Sequence, residues 1–165
     1  MITIKRIMTI KYIEKVKNVG GGNMQKMYSA KELSKYIINK CTIDEEYISN
    51  LQLQKILFYI QEYYLKKEKR AIFADEIYAW QFGPVVPEVY YEFCGYGAMP
   101  IYNEYNVEID NEDRRIIDNI IEAKRAMKPW QLVEETHKKN GAWDRVYNQG
   151  RGNKQLIPIE YIEEY

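Results

Sequence analysis

Leu53, Ile56, Leu57, Ile60 and Tyr64 fall at i, i+3, i+4, i+7 and i+11, and Leu51, Phe58 and Leu65, spaced by seven, widen the same apolar face. A helix apolar over so much of its circumference must be surrounded, so the rest of the chain has to supply its walls. The pattern predicts a central helix from about Ser49 to Lys66. A chain of 165 residues is enough for one such core and too short for two ordinary ones.

The flanking segments read as those walls. Ser29-Ala30-Lys31-Glu32 is a capping box followed by Ala30, Leu33, Ile37 and Cys41 at helical spacing, which predicts a helix over about 29 to 41. From Ile77 to Phe82 the residues alternate, with Tyr78, Trp80 and Phe82 on one side, as in a short strand that Gly83-Pro84 breaks. Pro87 then opens a helix bearing Val89, Tyr90, Phe93 and Cys94, which Gly95 and Gly97 stop. Tyr105, Val107 and Ile109 alternate with Asn106, Glu108 and Asp110, predicting a second strand able to pair with the first. Ile116, Ile117, Ile120, Ile121 and Met127 define another helix, and Pro129 starts one more that carries Trp130, Val133 and His137 and ends at Gly141. The expected fold class is mainly α (α+β), a bundle of five to six helices with a small β-hairpin.

Residues 1 to 23 stand apart. They hold five basic residues and one acid, Glu14, and end in Gly20-Gly21-Gly22-Asn23, a run that an in-frame ribosome-binding site ahead of a start at Met24 would encode. The segment is expected to be either upstream of the natural initiator or a short arm with Ile4, Ile7, Ile10 and Ile13 on one side, while 24 to 165 form the domain.

Charge and residue counts exclude several functions. Twenty-four basic residues balance 24 acidic ones, whereas a protein gripping nucleic acid through phosphates carries basic excess, so no nucleic acid is expected. No apolar run approaches the roughly 20 residues of a membrane span. One histidine, His137, and two cysteines, Cys41 and Cys94, cannot furnish a Cys/His zinc site unaided, and no metal or cofactor is expected. Asp110, Glu112, Asp113 and Asp118 lack the glycine-bearing turn of a calcium loop, and helix capping accounts for Asp110. A reduced, cytoplasmic protein fits.

Four fragments, in order, carry a more specific signal: Leu51-Gln52-Leu53-Gln54-Lys55-Ile56-Leu57-Phe58-Tyr59, Ala79-Trp80-Gln81-Phe82-Gly83-Pro84-Val85-Val86-Pro87-Glu88-Val89-Tyr90, Tyr96-Gly97, and Thr136-His137 followed by Trp143. Together they resemble the Panacea domain, also described as the SocA-like or GepA phage-associated family, from about Met27 to the C-terminus. The resemblance implies a non-enzymatic antitoxin that neutralises, by direct protein contact, a toxin encoded by the adjacent gene. The toxins of such families are unrelated to one another and often block translation, RelA/SpoT-like synthetases among them. One branch of the family instead presents its toxin to a AAA+ protease. A phage-encoded inhibitor of a host protein, and a Cys/His hydrolase built on His137 with Cys41 or Cys94, are the competing readings.

Within these fragments the side chains admit alternatives. Gln54, Lys55, Tyr59 and Gln61 occupy the non-apolar remainder of the central helix, either as a solvated face or as a set bracing the Trp80 to Pro87 connector or reaching a partner. Gly83, Pro84 and Pro87 make a rigid connector rather than a phosphate cradle, since two prolines remove two N–H donors. Thr136 and His137 read as structural. Lys66-Lys67-Glu68-Lys69-Arg70 reads as a soluble helix end, and Glu160, Glu163 and Glu164 as a solvated terminus or an acidic tail. Sixteen tyrosines, a usage that AT-rich codons also produce, permit an adhesive surface. Tyr59, Tyr78, Trp80, Tyr90 and Tyr96 are the candidate aromatic anchors, with Trp80 also a candidate for the core.

Overall fold

The computed structural model describes residues 26–165, so the readings made of the N-terminal segment lie outside the described residues. Ser29 closes its capping box with Glu32 and starts α1 (Ala30–Ile43). Ser49 repeats the device with Gln52 and starts α2 (Asn50–Tyr63). The chain then forms β1 (Tyr78–Trp80), β2 (Gly83–Val85), α3 (Pro87–Phe93), α4 (Asn111–Arg125), α5 (Pro129–Thr136), α6 (Ala142–Tyr147), β3 (Gln155–Leu156) and α7 (Ile159–Glu164). The mainly α expectation holds, with seven α-helices and one small sheet among the described residues.

Helix α2 is central: it packs against α1, α3, α4, α5 and β2. Leu53, Ile56, Leu57 and Ile60 are fully buried, each contributing about 1.5–3 kcal/mol of transfer free energy. The helix does not run on to Lys66 as an α-helix. Its last residues widen into a π-helical turn over Tyr64–Glu68, ended by Lys69 in the left-handed region, and this rotation keeps both Tyr64 and Leu65 buried.

The hairpin differs from the expectation. Gly83-Pro84 does not break the strand; it is part of a second strand, reached through a turn at Gln81 and Phe82, with Tyr78 opposite Val85 and Trp80 opposite Gly83. Proline is tolerated because β2 is an edge in the order β2-β1-β3. The partner on the other side of β1 is β3, whereas residues 105 to 110 form no strand. Their alternation has another cause. Asn39 of α1 holds Tyr105 by its backbone, accepting from the N–H and donating to the carbonyl, and the extended chain lays Tyr105, Val107 and Ile109 against the helical core. A side-chain amide thus does the work of a neighbouring strand.

Two further boundaries move. Helix α5 stops at Thr136, with His137 as its C-cap, short of Gly141. The terminal segment is no solvated tail: Ile159 and Ile162 bury α7 against the core, and Glu163 and Glu164 pair with Lys69 and Arg145.

Candidate functional site

Two polar centres are buried beside α2. The first gathers around Asp113, which α4 directs into the core. Tyr64 Oη donates to Oδ1 at 2.8 Å, Tyr28 Oη to Oδ2 at 3.1 Å, and the Arg70 guanidinium pairs with Oδ1 at 2.5 Å. Burial, with the adjoining carboxylate, pushes the Tyr28 hydroxyl up to about 12 and raises that of Tyr64 as well, so both remain donors. Arg70 is therefore a clamp rather than part of a soluble helix end. Asp110 stands at the N-cap of α4 without a side-chain capping bond, contrary to its expected role.

The second centre lies where α2, the hairpin, α5 and α6 meet. Gln54, Lys55 and Gln61 do not form a solvated face; all three are buried. Gln54 Oε1 accepts from the Val86 N–H at 2.9 Å and its Nε2 donates to Asn50 at 3.1 Å, while Gln61 binds the backbone of Ile72 and Phe73. Lys55, only 1% exposed, donates to the Pro84 carbonyl at 3.1 Å. No carboxylate faces it among the described residues, and burial drives its ammonium down to about 7. Gly83 makes this arrangement possible: at φ +108°, a Cβ there would lie 2.7 Å from Lys55 Nζ and 2.8 Å from Thr136 Oγ1. Pro87 occupies the first turn of α3.

Trp143 locks the far side. Its Nε1 donates to the Trp80 carbonyl at 2.8 Å, and its ring stacks on His137 at 3.6 Å and 2° and on Tyr147 at 4.4 Å. Burial and the charge of Lys55 lower His137 to about 4, which makes it a weak base. Cys41 is buried with its thiol raised by burial, which suppresses the nucleophilic thiolate.

On the solvent side of this junction a groove of about 400 Å³ opens between α2, the hairpin and α3. Leu51, Lys55, Trp80, Phe82, Tyr90 and Lys154 are among its lining residues, with Gln54, Cys94 and Gly97. Trp80 meets Tyr90 edge-on at 4.9 Å and Tyr91 at 6.1 Å, and Phe82 meets Trp130 at 5.6 Å. Phe82 is 47% exposed, Tyr91 62% and Trp130 62%.

Ten of the sequence-selected residues, Gln54, Lys55, Trp80, Gly83, Pro84, Pro87, Tyr90, Thr136, His137 and Trp143, thus converge on the hairpin, and Gly97 joins them at the groove. Tyr78 is on the hairpin too, but its hydroxyl turns to Glu76, and Tyr59 and Tyr96 stand elsewhere. Tyr59 lies beneath the Lys124 ammonium, which pairs with Glu135, and Tyr96 Oη accepts from Asn103. The exposed rings of Phe82, Tyr91 and Trp130 lie outside the set of candidate anchors. Phe82 followed by Gly83 at a tight turn is the local signal that could have found one of them.

Among the described residues no helix is long and apolar enough to cross a membrane, and no cluster of His, Cys, Asp and Glu could hold a metal ion. The family model described as Antitoxin SocA-like, Panacea domain, matches residues 53–144, a span that starts on α2 and ends on α6 beside Trp143. Antitoxin SocA of Caulobacter vibrioides (strain NA1000 / CB15N) is 27% identical over 132 residues, covering 72% of this chain and 70% of the relative. No solved structure matches the chain. With the Gln54 and Lys55 braces, the Gly83 approach and the Trp143 lock all falling within the matched span, the chain belongs to the SocA-like, Panacea-domain antitoxin family.

Proposed function

We propose that this chain is an antitoxin, not an enzyme, that neutralises a cognate protein toxin encoded by the adjacent gene through direct contact, covering the toxin's active site. The observation that carries the reading is the exposed aromatic face of Phe82, Tyr91 and Trp130 bordering the Trp80–Tyr90 groove. Large rings that stay wet in the free protein gain most on being covered, and such residues dominate the affinity of protein interfaces. The buried braces beneath hold that face in one shape, lowering the ordering cost of binding. Family membership, and a His137 that is stacked on Trp143 and weakened as a base by burial, support a binding role over hydrolysis.

The test is co-expression with the product of the neighbouring gene, scored by growth and then by co-purification. Growth rescue with a stable complex, and loss of both on replacing Phe82 and Trp130 by Ser, is the expected result. Rescue with no complex would overturn direct occlusion in favour of delivery to a AAA+ protease, and a neighbour that is not toxic would favour the phage-inhibitor reading.

A further inference from the structure

The groove beside α2 has a one-sided charge. Among the described residues its lining includes two lysines, Lys55 and Lys154, and no Asp or Glu, although residues 24 to 165 hold 23 acidic and 19 basic residues. Among the described residues, neither lysine has an ion-pair partner. Lys154 stands at the rim, its backbone N–H bound to the Ala79 carbonyl and its ammonium 5.4 Å from the centre of the Trp80 ring. Lys55 lies deeper, with three donor hydrogens and the Pro84 carbonyl as its hydrogen-bond acceptor among the described residues. A buried ammonium without a counter-charge is costly, and natural cores pair such groups or replace them. The other buried charge beside α2, Asp113, has its cation and two hydroxyls. Leu51, Trp80, Phe82, Val85 and Tyr90 give the groove an apolar and aromatic wall, and its other polar lining residues, the amides of Asn50, Gln54, Gln81 and Asn153, carry no charge.

We propose that this groove takes an acidic segment of the partner protein, its aliphatic or aromatic side chains seated against Trp80, Phe82 and Tyr90 and a carboxylate meeting Lys55 and Lys154. The inference rests on the antitoxin reading for the identity of the partner, but the chemistry of the groove stands apart from it. The carboxylate supplies the counter-charge and the acceptors that the fold leaves out. A carboxylate beside Lys55 favours its charged form, and the low-dielectric wall around that lysine strengthens the pair.

Short random peptides displayed on phage and selected on the immobilised full chain test this without any toxin. The expected winners carry Asp or Glu beside Leu, Ile or Phe. A synthetic winner in which the acid is changed to its amide should bind about tenfold or more weakly, Lys154→Glu should weaken it about fivefold or more, and Lys55→Met about 30-fold. Lys154 is exposed, so its variant keeps the test valid should Lys55→Met fail to fold. No winners, winners lacking acids, or binding indifferent to both lysine changes would overturn the inference. Co-expression separates the two readings: growth rescue and complex formation unchanged in Lys154→Glu and Lys55→Met would sink the groove while leaving neutralisation intact. Acid-dependent peptide binding with a harmless neighbour would keep the groove and remove the toxin.

Discussion

Asp113 and Lys55 are both charged, both buried and both next to the same helix, yet one is fully partnered and the other is not. Asp113 receives a guanidinium and two tyrosine hydroxyls from α2's π-helical end, the Arg70 segment and the chain ahead of α1, so it ties three parts of the sequence to α4. Lys55 receives one carbonyl. The contrast separates a charge retained for the fold from one that the fold only tolerates, and the tolerated one lines the groove. Replacing each should therefore move stability in opposite directions.

The largest effect is expected at Asp113. Asp113→Ala strands Arg70 and leaves two tyrosine hydroxyls without their acceptor, costing about 3–5 kcal/mol in urea denaturation. A loss below about 1 kcal/mol would show the cluster to be ornamental. Next is Gly83→Ala, where the added Cβ meets Lys55 and Thr136 and the backbone sits at φ +108°; about 2–4 kcal/mol should be lost, as measured by thermal unfolding. Lys55→Met should do the reverse and stabilise by about 1–3 kcal/mol at pH 7 or below. Its sign follows from linkage. The folded Lys55 titrates near 7 and the unfolded lysine near 10.5, so between these values the unfolded chain binds the extra proton and wild-type stability rises with pH. Denaturant midpoints measured from pH 7 to 9 should climb in the wild type more steeply than in Lys55→Met; parallel curves would contradict an uncompensated charge. The smallest change is Trp143→Phe, which keeps the stack on His137 but removes the donor to the Trp80 carbonyl, costing about 1 kcal/mol by chemical denaturation.

The same contrast shows what a sequence discloses. The capping boxes at Ser29 and Ser49 are local, formed over three residues, and the apolar stripe of α2 is local too, so the helices were legible. Polar residues at 54, 55 and 61 could be read as a solvated face or as braces, because their partners lie outside the helix: 84 and 86 are reached only when the hairpin folds back, and 72 and 73 only after the chain turns at the helix end. Arg70 and Asp113 are 43 residues apart with nothing in either neighbourhood to pair them. Alternation at 105 to 110 reported an extended, half-buried chain correctly and could not say that Asn39 was its neighbour. A two-residue strand at Gln155–Leu156 has no periodicity to read.

The edge position of β2 limits how another protein can join the sheet. Pro84 has no N–H to offer, its carbonyl is already taken by Lys55, and the Val86 N–H is taken by Gln54. A foreign strand aligned along that side would find its main-chain hydrogen bonds pre-empted, so the hairpin resists both β-augmentation and the edge-to-edge aggregation that short exposed sheets invite. Recognition on this side of the molecule is left to side chains, whose chemistry can change from one partner to the next without disturbing the backbone that displays them.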